Sequence, residues 1–478
     1  MNKRLSMSLI RFRLFIFTIG LIFFTSSLLA QNDSVKYDIT LSGLTSTGNY
    51  SPFWLQSNQY GKISSSPSSA NLLVGVYKDF ETKKKIFKYG FKANALIQTD
   101  KTKSTAYFHE LYVKAHLAVF DIIIGSREEQ FGVQDSTLSS GGFLFSQNAR
   151  PIPKVTIGIE HFTPLPFTKG YLEIKGAISN SWLDNNKYIQ NEFIHHKYAY
   201  LRIGGKLPVH LQYGIDHTAL WGGYIQGLGQ QPADLSAFHT IFFVGRGGKN
   251  ASAGEQINAL GDHRISQNMK LEIELATYKI CGYWQNFSED GPVRFMTNSM
   301  NAADGLWGIT VRNTKFPFVK GIIYEYLSTS DQSGPYLEKD GIIYGGNDSY
   351  FTNYIYTTGW NNYSRTIGTP FITSPIYNKN VEPYTLNNRV QVHHFGAEGE
   401  VYGYNYKAFA SFSKNFGTYS SPTNINNIST LLEINKQLPK LSNIELSCSV
   451  GADFGKLYGN SVGVLFSIRK RGELFQYR

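Results

Sequence analysis

The stretch from Ile86 to Thr99 reads IFKYGFKANALIQT, and its side chains alternate with a period of two. One set is mostly apolar and comprises Phe87, Tyr89, Phe91, Ala93, Ala95 and Ile97. The other set comprises Lys88, Gly90, Lys92, Asn94, Leu96 and Gln98. Because successive side chains of a β-strand point to opposite faces, this pattern predicts one apolar face and one polar face. Typical strands have ~5–6 residues, whereas a tilted strand that crosses a bilayer needs roughly 9–11, so the length indicates a membrane barrel.

A second long strand is predicted from Ala106 to Val119, after a short polar link. We expect Glu110, Lys114 and His116 on its polar face, and the apolar face to carry Tyr107, Leu111, Val113, Ala115, Leu117 and Val119. An Arg or Lys that faces lipid near the midplane costs ~2–4 kcal/mol. The confinement of charge to one face of two successive strands therefore predicts an aqueous lumen.

Similar alternation recurs as far as Ser461 to Arg469, giving ~16–18 strand candidates, which is within the range of outer-membrane barrels. The predicted fold class is all-β: an antiparallel transmembrane β-barrel with plugging loops and a few short helices. One candidate strand runs from Asn268 to Trp284, and short helices are predicted within Trp182 to His196 and Asp234 to Phe243. The aromatic, Asn-rich segment from Leu327 to Leu386 is predicted to be a long extracellular loop, with or without an extra hairpin.

The first thirty residues have the pattern of a signal peptide, with a basic start, the apolar run Leu14 to Phe24 and an exit that ends at Ala30. We expect cleavage there, leaving residues 31–478 as a single barrel domain in the outer membrane. Aromatic residues make up 15% of the chain and 45 residues are glycine, which is typical of barrels with aromatic girdles and small lumen residues. A secreted β-sandwich enzyme is the competing class, although its strands should be shorter.

The formal net charge of +11 overstates the charge of the mature chain. Removing the four basic residues of the signal leaves 42 basic against 35 acidic residues, or +7. This surplus suits an acidic polysaccharide or lipopolysaccharide phosphates, and export argues against nucleic acid as a partner. The two cysteines, Cys281 and Cys448, are too few for a disulfide scaffold, and Cys448 is predicted to face lipid.

The long insertion combines aromatic rings with amide, acidic and basic side chains, and sugars present apolar C–H faces and hydroxyl groups that suit both kinds of group. Candidate polysaccharide-binding residues in it are Asn353, Tyr354, Tyr356, Trp360 and Arg365. The alternative is an interfacial aromatic girdle with a loop that packs on itself. Sugar binding and this alternative are about equally consistent with the sequence.

The segment from Ser139 to Pro153 contains a Gly pair and two prolines, so it predicts a specialised turn or lumen-facing loop instead of a continuous strand. Its Asn148 and Arg150 are further candidates for hydrogen bonds to a hydroxylated or acidic ligand. The simpler interpretation, and the favoured one, pairs Arg150 with a lumen carboxylate such as Glu110.

Metal and catalytic sites are not predicted. His195-His196 and His393-His394 are adjacent pairs, whose side chains would point to opposite faces of a strand and could not chelate one ion. Asp216-His217 lies beside Trp221, itself a candidate binding residue, but no nucleophile signature accompanies the pair. A structural hydrogen bond is the favoured interpretation, and no cofactor or enzymatic activity is expected.

Four segments together resemble the Wzi-type capsule-assembly family in its Bacteroidetes-like form. They are SSGGFLFSQNARPIPKV at 139–155, HHKYAYLRIGG at 195–205, GIDHTALWGG at 214–223, and 359–370 with its GW pair, Arg365 and Gly368. The resemblance implies an 18-stranded outer-membrane barrel plugged by loops and helical elements, which binds capsular or related exopolysaccharide without catalysis. It supplies no set of binding residues. The chain departs from many barrels in ending Leu474-Phe475-Gln476-Tyr477-Arg478 and not on an aromatic residue.

The favoured function is therefore lectin-like binding that retains or organises polysaccharide at the cell surface, with contacts summed along a polymer. The alternative is a porin or diffusion channel for small solutes. Expected partners are the polysaccharide, outer-membrane lipid and lipopolysaccharide, and the barrel-assembly machinery, and the barrel is expected to be a monomer.

Overall fold

The computed structural model describes residues 34–80, 86–186, 188–257, 259–289, 303–332, 337–339, 342–345, 349–378, 385–441 and 443–476. The predicted signal peptide, 1–30, lies outside these residues. Eighteen strands form one sheet in which each strand pairs with its neighbours in chain order and the last pairs with the first. The strands are β1 Ser34–Ser46, β2 Ser68–Lys78, β3 Phe87–Asp100, β4 Ser104–Leu117, β5 Phe120–Ser126, β6 Lys154–Pro164, β7 Leu172–Trp182, β8 Phe193–Ile203, β9 Val209–Trp221, β10 Asp262–Glu274, β11 Tyr278–Gln285, β12 Gly305–Asn313, β13 Gly321–Ser328, β14 Val390–Val401, β15 Tyr404–Gly417, β16 Pro422–Leu438, β17 Ile444–Gly455 and β18 Ser461–Gln476. All eighteen pairings are antiparallel, and the predicted fold class is confirmed.

Strand β3 shows how the alternating sequence builds the barrel wall. Phe87 and Ile97 are 46% and 50% exposed on the outer face, whereas Leu96 and Asn94 are 1% and 3% exposed on the inner face. Closed pairing leaves no open sheet edge, so every strand can satisfy its backbone hydrogen bonds inside a membrane. The two-faced interpretation of Ile86 to Thr99 is confirmed.

A β-bulge in β4 corrects the predicted faces of that strand. Asn94 of β3 pairs with Glu110, but Ala95 pairs with Phe108, so His109 is an extra residue. An extra residue reverses the alternation on one side of the bulge. Phe108 is therefore 62% exposed on the outer wall, and Tyr107, predicted to face lipid, lies on the lumen side beside Arg150.

The two ends of the barrel differ in the length of their connections. At the turn end, where β1 begins and β18 ends, the connections have at most eight residues, and 118–119, 275–277 and 402–403 have only two or three. At the loop end, the connections 47–67, 127–153, 222–261 and 329–389 are much longer. Long connections on one side and short turns on the other are typical of outer-membrane barrels.

In the described residues, three α-helices and several short hairpins lie in the loop-end connections. The helices are α1 Phe53–Gln56, α2 Leu235–Phe242 and α3 Ala253–Ile257. The minor strands are Ile189–Gln190, Tyr224–Ile225, Gly229–Gln230, Leu337–Lys339, Ile342–Gly345, Asn361–Asn362 and Arg365–Thr366, and a 3₁₀ helix spans Pro375–Tyr377. A second 3₁₀ helix, Pro439–Leu441, lies at the turn end. Within the described residues, no helix is both long and apolar enough to span a membrane.

The helix predictions and one strand prediction had mixed outcomes. Helix α2 falls within the predicted segment Asp234 to Phe243, and Asp234 caps it by accepting a 2.8 Å hydrogen bond from the amide of Ala237. The helix predicted within Trp182 to His196 is wrong, because that segment joins β7 to β8 through an extended connection. The single strand predicted from Asn268 to Trp284 is wrong as well, since residues 275–277 form a turn between β10 and β11.

Candidate functional site

The loop end of the lumen is filled by a plug, which we define as the described parts of the connections 47–67, 127–153 and 329–389. Its apolar side chains pack with inward-facing wall residues in one hydrophobic core. Helix α1 belongs to the first of these connections, and its four residues are all buried. The amide of Phe53 donates to a carboxylate oxygen of Asp453 at 2.8 Å, and Trp54 Nε1 donates to Ser411 Oγ at 3.0 Å. Wall side chains thus hold a helix too short to be stable alone.

The segment Ser139 to Pro153 is an irregular loop inside the lumen, as its glycines and prolines predict. Ser139 Oγ and the amide of Ser140 donate to the carboxylate of Glu325, at 2.6 and 2.7 Å. Charge-assisted hydrogen bonds of this kind are about twice as strong as neutral ones. They fix the loop to the barrel wall, which positions the candidates Asn148 and Arg150.

Much of the aromatic connection 329–389 is buried inside the lumen, which changes what its rings can do. Trp360 is 0% exposed, and its Nε1 donates to the carbonyl of Leu144 at 2.7 Å. Tyr356 is 1% exposed. The expectation that these two rings present open faces to a sugar is therefore corrected by their burial. They pack the plug in this structure, and any effect of theirs on polysaccharide binding stays a prediction.

Two polar candidates are also enclosed by protein. Arg365 is 6% exposed and donates to the carbonyl of Ile63 at 2.8 Å. Asn148 is 2% exposed and donates to the carbonyl of Thr366 at 3.1 Å. The structure brings these residues into one neighbourhood, where they join the three connections of the plug to each other. Asn353 accepts from the amides of Ile355 and Tyr356 and shapes a local turn.

A two-residue hairpin turn, Tyr363-Ser364, projects from the plug. Its flanking residues Asn362 and Arg365 pair directly, and the turn residues have φ angles of 49° and 58°. Positive φ at both central residues defines the type I′ turn favoured in such hairpins, but a side chain with a Cβ pays ~1–2 kcal/mol for it. The amide of Tyr363 donates to Asp184 Oδ1 at 2.8 Å. This contact stabilises a strained turn that leaves Tyr363 49% exposed.

Arg150 lies between two tyrosine rings. Its guanidinium carbon is 3.8 Å from the ring centre of Tyr107 and 4.4 Å from that of Tyr363. The predicted pairing with Glu110 is wrong, because Glu110 forms an ion pair with Lys92 and accepts from Asn94 at 3.0 Å. A guanidinium stacked in this way keeps N–H donors at its edge. We call Tyr107, Arg150, Asp184, Asn362 and Tyr363 the rim cluster.

Hydrogen bonds and burial set the electrostatics around the rim cluster. Asn362 Nδ2 donates to the carbonyl of Arg150 at 3.2 Å, and the amide of Asp184 donates to Asn362 Oδ1 at 3.3 Å. Burial raises the pKa of Asp184 above its usual value. In the connection 183–192, against the plug, burial raises the pKa of Glu192 to about 8, although Thr358 Oγ1 donates a 3.3 Å hydrogen bond to it.

The remaining candidates lie away from the rim cluster. Tyr354 is 71% exposed, and its hydroxyl lies 2.1 Å from the position that a Cβ on Gly254 would take, so the ring approaches α3 closely. Trp221 is 4% exposed on the outer side of the wall, where it packs under α2 and donates to Asn180 Oδ1 at 3.1 Å. The structure therefore separates Trp221 from the plug.

The Asp216-His217 pair has a structural arrangement. Asp216 contacts His196 Nε2 at 3.0 Å and accepts from Asn268 Nδ2 at 2.9 Å and from the Tyr200 hydroxyl. His217 points to the opposite face of β9 and contacts His263. Both cysteines are free, and Cys448 is exposed on the outer wall as predicted.

Four members of the rim cluster, Tyr107, Asp184, Asn362 and Tyr363, were not among the binding candidates predicted from the sequence. The turn at Tyr363 was not predicted because type I′ turns usually have the sequence Asn-Gly or Asp-Gly, and this turn has Tyr-Ser. Tyr107 was assigned to the lipid face because a bulge leaves no clear sequence signal. Asp184 lies 179 positions from Tyr363, so no local pattern joins the two.

Comparison with known proteins now adds to this geometry. The family model described as capsule assembly protein Wzi matches residues 56–373. No curated protein matches the chain. Among solved structures, Wzi of Escherichia coli, described as an outer membrane protein involved in group 1 capsule assembly and a carbohydrate-binding β-barrel, is similar with a TM-score of 0.56. The identity is 12%, and the match covers 92% of this chain and 84% of that one, so this likeness shows the fold.

Other outer-membrane barrels match at lower similarity. OccK3 of Pseudomonas aeruginosa has a TM-score of 0.48 at 10% identity, covering 94% of this chain and 97% of that one. OccAB2 of Acinetobacter baumannii has a TM-score of 0.48 at 11% identity, covering 93% and 98%. Likenesses at this level carry no argument about function. The family match spans well over half of the chain and agrees with the closed barrel and its plug, so the protein belongs to the Wzi capsule assembly family of outer-membrane β-barrels.

Proposed function

We propose that this barrel binds exported polysaccharide at the cell surface in a lectin-like way and helps to retain or organise it. The rim cluster carries this proposal. Tyr363 is 49% exposed on a strained hairpin, and Arg150 lies 4.4 Å from its ring centre. Local strain that the surrounding structure maintains is a pointer to function. Membership of a capsule assembly family supports the same conclusion.

The chemistry of the rim cluster suits a sugar. The exposed part of Tyr363 offers a ring for apolar C–H groups, and the guanidinium edge of Arg150 offers donors to hydroxyl or carboxylate oxygens. The turn is anchored by Asp184, so a bound sugar need not order a mobile loop, and this lowers the entropic cost of binding.

Binding along a polymer would use more than one contact. Tyr354 is 71% exposed in the same connection and provides a second ring away from the rim cluster. Individually weak contacts gain effective concentration when repeats of one polymer reach several of them. We propose Tyr354, Tyr363 and Arg150 as direct contacts, whereas Trp360, Tyr356, Arg365, Asn148 and Asn353 shape the plug that presents them.

The plug argues against the alternative of a diffusion channel. Phe143, Phe287, Phe351 and Trp360 are each 0% exposed within the lumen. A channel with this packing would have to move its plug before a solute could pass. We expect conductance in planar bilayers near zero, and a steady large conductance would contradict the proposal.

The remaining expectations are proposed together with binding. The protein would be exported with a cleaved signal peptide and inserted into the outer membrane by the barrel-assembly machinery. In the membrane it would be a monomer in contact with lipid and lipopolysaccharide. We propose binding without catalysis. The carboxylate of Asp216 supports this proposal, because it already forms hydrogen bonds with His196, Tyr200 and Asn268 within the wall.

A cell-retention experiment tests the proposed binding with a matched control. Tyr363→Ala removes the exposed ring, and Tyr402→Ala removes a 92% exposed tyrosine from the turn end. Each variant is expressed in a strain that lacks the native copy, and cell-bound and shed polysaccharide are measured. Loss of one aromatic contact should lower the affinity for polysaccharide about 3- to 10-fold, so we expect Tyr363→Ala to retain less polysaccharide on the cells and to shed more. Tyr402→Ala should match the wild type.

Equal amounts of assembled barrel, shown by heat-dependent gel mobility, must accompany both variants. Unchanged retention in Tyr363→Ala, at equal assembly, would show that the rim cluster is not the binding site.

A further inference from the structure

Three histidines meet on the outer side of the barrel wall, beneath α2. In the strand register, Ala219 of β9 pairs with His195 of β8 on one side and with His263 of β10 on the other. His217 is two residues before Ala219 and shares its face. The three imidazoles are therefore grouped around one small side chain.

Helix α2 covers this arrangement. Its Ala237 and Ile241 are buried and belong to one apolar cluster with Ala219. Phe238 and Phe242 lie 5.4 and 5.5 Å from the ring of His195, measured between ring centres. The histidines are consequently secluded, at 0%, 6% and 4% exposure for His195, His217 and His263.

The ring nitrogens of the cluster are not all satisfied. His217 Nε2 and His263 Nδ1 are 2.9 Å apart, and His263 Nε2 contacts the carbonyl of Leu260 at 2.7 Å. Among the described residues, three ring nitrogens have no hydrogen-bond partner: both nitrogens of His195 and the Nδ1 of His217. Buried polar groups without partners are rare and call for an explanation.

From this geometry we propose a binding site for a divalent transition-metal ion, of which Zn²⁺ is the representative, with His195, His217 and His263 as ligands. Imidazole is a preferred ligand for such ions. The Leu260 carbonyl holds the Nε2 proton of His263, so the lone pair of its Nδ1 points to His217, whose Nε2 proton would leave when an ion binds. A backbone carbonyl that fixes the tautomer in this way is typical of metal-binding histidines.

The distances within the cluster match one ion best for His217 and His263. Two imidazoles on one zinc, with Zn–N bonds near 2.0–2.1 Å, have ring centres about 5 Å apart. The ring centres of His217 and His263 are 5.1 Å apart, and those of His195 and His217 are 6.2 Å apart. The ring of His195 must move towards this pair before all three imidazoles can reach one ion.

The ammonium group of Lys197, next to the cluster, is bound by the carboxyl end of α2. Lys197 pairs with His217 across the strands, and its ammonium donates to the carbonyl of Phe242 at the carboxyl end of α2. A cation is favoured there by the helix dipole. The adjacent pairs His195-His196 and His393-His394 cannot chelate an ion by themselves, and here the partners of His195 come from two neighbouring strands.

A second cluster serves as the competing location. Ligand atoms of His210, Glu272 and Glu274 lie within 4.8 Å of one another. Glu272 already pairs with Lys279 at 2.5 Å and with Lys270 at 3.4 Å, so an ion there must displace an ammonium group. The cluster under α2 carries no such competitor among its three imidazoles.

The test uses the full-length barrel, purified in detergent without an affinity tag and stripped with a chelator. ZnCl₂ is titrated in competition with a chromophoric chelator, and Co²⁺ absorption reports the coordination geometry. We expect one ion per chain with tetrahedral-type Co²⁺ bands. His195→Gln and His217→Gln should each weaken zinc binding more than about 10-fold, whereas His239→Gln, at an exposed position on α2, should not change it.

Proteolysis gives an independent readout. Arg246 and Lys249 follow α2 in the connection 222–261 and are exposed trypsin sites. Zinc should slow cleavage there in the wild type and not in His217→Gln. The proposal is overturned if the wild type binds no zinc, if both glutamine variants bind like the wild type, or if His210→Ala alone abolishes binding.

Discussion

Two hairpin turns at opposite ends of the molecule have nearly the same backbone and different sequences. Tyr363-Ser364 in the plug has φ angles of 49° and 58°, and Tyr402-Gly403 at the turn end has φ angles of 50° and 74°. The turn-end hairpin places glycine at its second position, where a left-handed conformation costs little. The plug hairpin keeps a serine there and so retains strain.

The difference lies in what holds each turn. Tyr402-Gly403 joins the long strands β14 and β15, whose register fixes the connection. Tyr363-Ser364 joins strands of only two residues, so side chains must hold it, and the contacts from Asp184 and Arg150 do so. Strain maintained by the plug thus indicates a turn kept for its exposed ring.

Removing a buried side chain that supports the plug hairpin should have the largest effect on stability. Trp360→Ala deletes a fully buried indole and its hydrogen bond to Leu144, and we expect a loss of about 3–5 kcal/mol from the free energy of unfolding of the plug. The measurement is the denaturant dependence of protease cleavage within 349–378. Trp182→Ala, at a 41% exposed position on the outer wall, is the control. A plug that stays protected in Trp360→Ala would show that burial of this ring is not what supports the hairpin.

A pH titration probes the same support through Glu192. The pKa of Glu192 is about 8 in the folded protein, raised by burial from 4.5. A raised pKa contributes stability that is fully present below 4.5 and is lost as pH rises through 8. Plug stability should therefore fall between pH 5 and pH 8.5.

The matched variant for this titration is Glu192→Gln, which keeps a neutral side chain of similar shape. Its unfolding midpoint should vary less with pH than that of the wild type. An equal slope in both proteins would assign the pH dependence to other groups.

Arg150→Lys sharpens the exposed side of the comparison. Lysine keeps the charge and loses the planar group that stacks between Tyr107 and Tyr363, a change worth about 0.5–2 kcal/mol. We expect several-fold weaker polysaccharide binding to purified protein, with protease protection of the plug retained. Lys407→Arg, a change remote from the plug, controls for basic-residue exchange. Wild-type affinity in Arg150→Lys would mean that charge alone matters at this position.

The smallest effects are expected from exchanging the second turn residues. Ser364→Gly relieves a left-handed residue and should stabilise the plug by roughly 0.5–1 kcal/mol, and Gly403→Ser should destabilise the barrel by a similar amount. Urea unfolding measures both. If Ser364→Gly is neutral or destabilising, the serine side chain has a role that backbone strain does not describe.

The sequence was a good guide to the wall and a poor guide to the site, for a physical reason. Strand alternation repeats every two residues, so Ile86 to Thr99 alone predicts which side chains face lipid. The plug has no such period, because its contacts join distant residues, such as Ser139 with Glu325 and Asn148 with Thr366. An aromatic segment predicts apolar contacts, but sequence composition does not tell a buried Trp360 from an exposed Tyr363.

The contact between Phe53 and Asp453 has a consequence for biogenesis. These residues are 400 positions apart, and α1 lies inside a cylinder whose seam is the pairing of β1 with β18. A helix enclosed by a wall must be in place before the wall is complete, or must enter afterwards through its open end. Contacts of such large sequence separation are slow to form. Pairing of β1 with β18 and packing of α1 inside the barrel are therefore expected to be late, coupled events, completed after the whole chain has crossed the inner membrane.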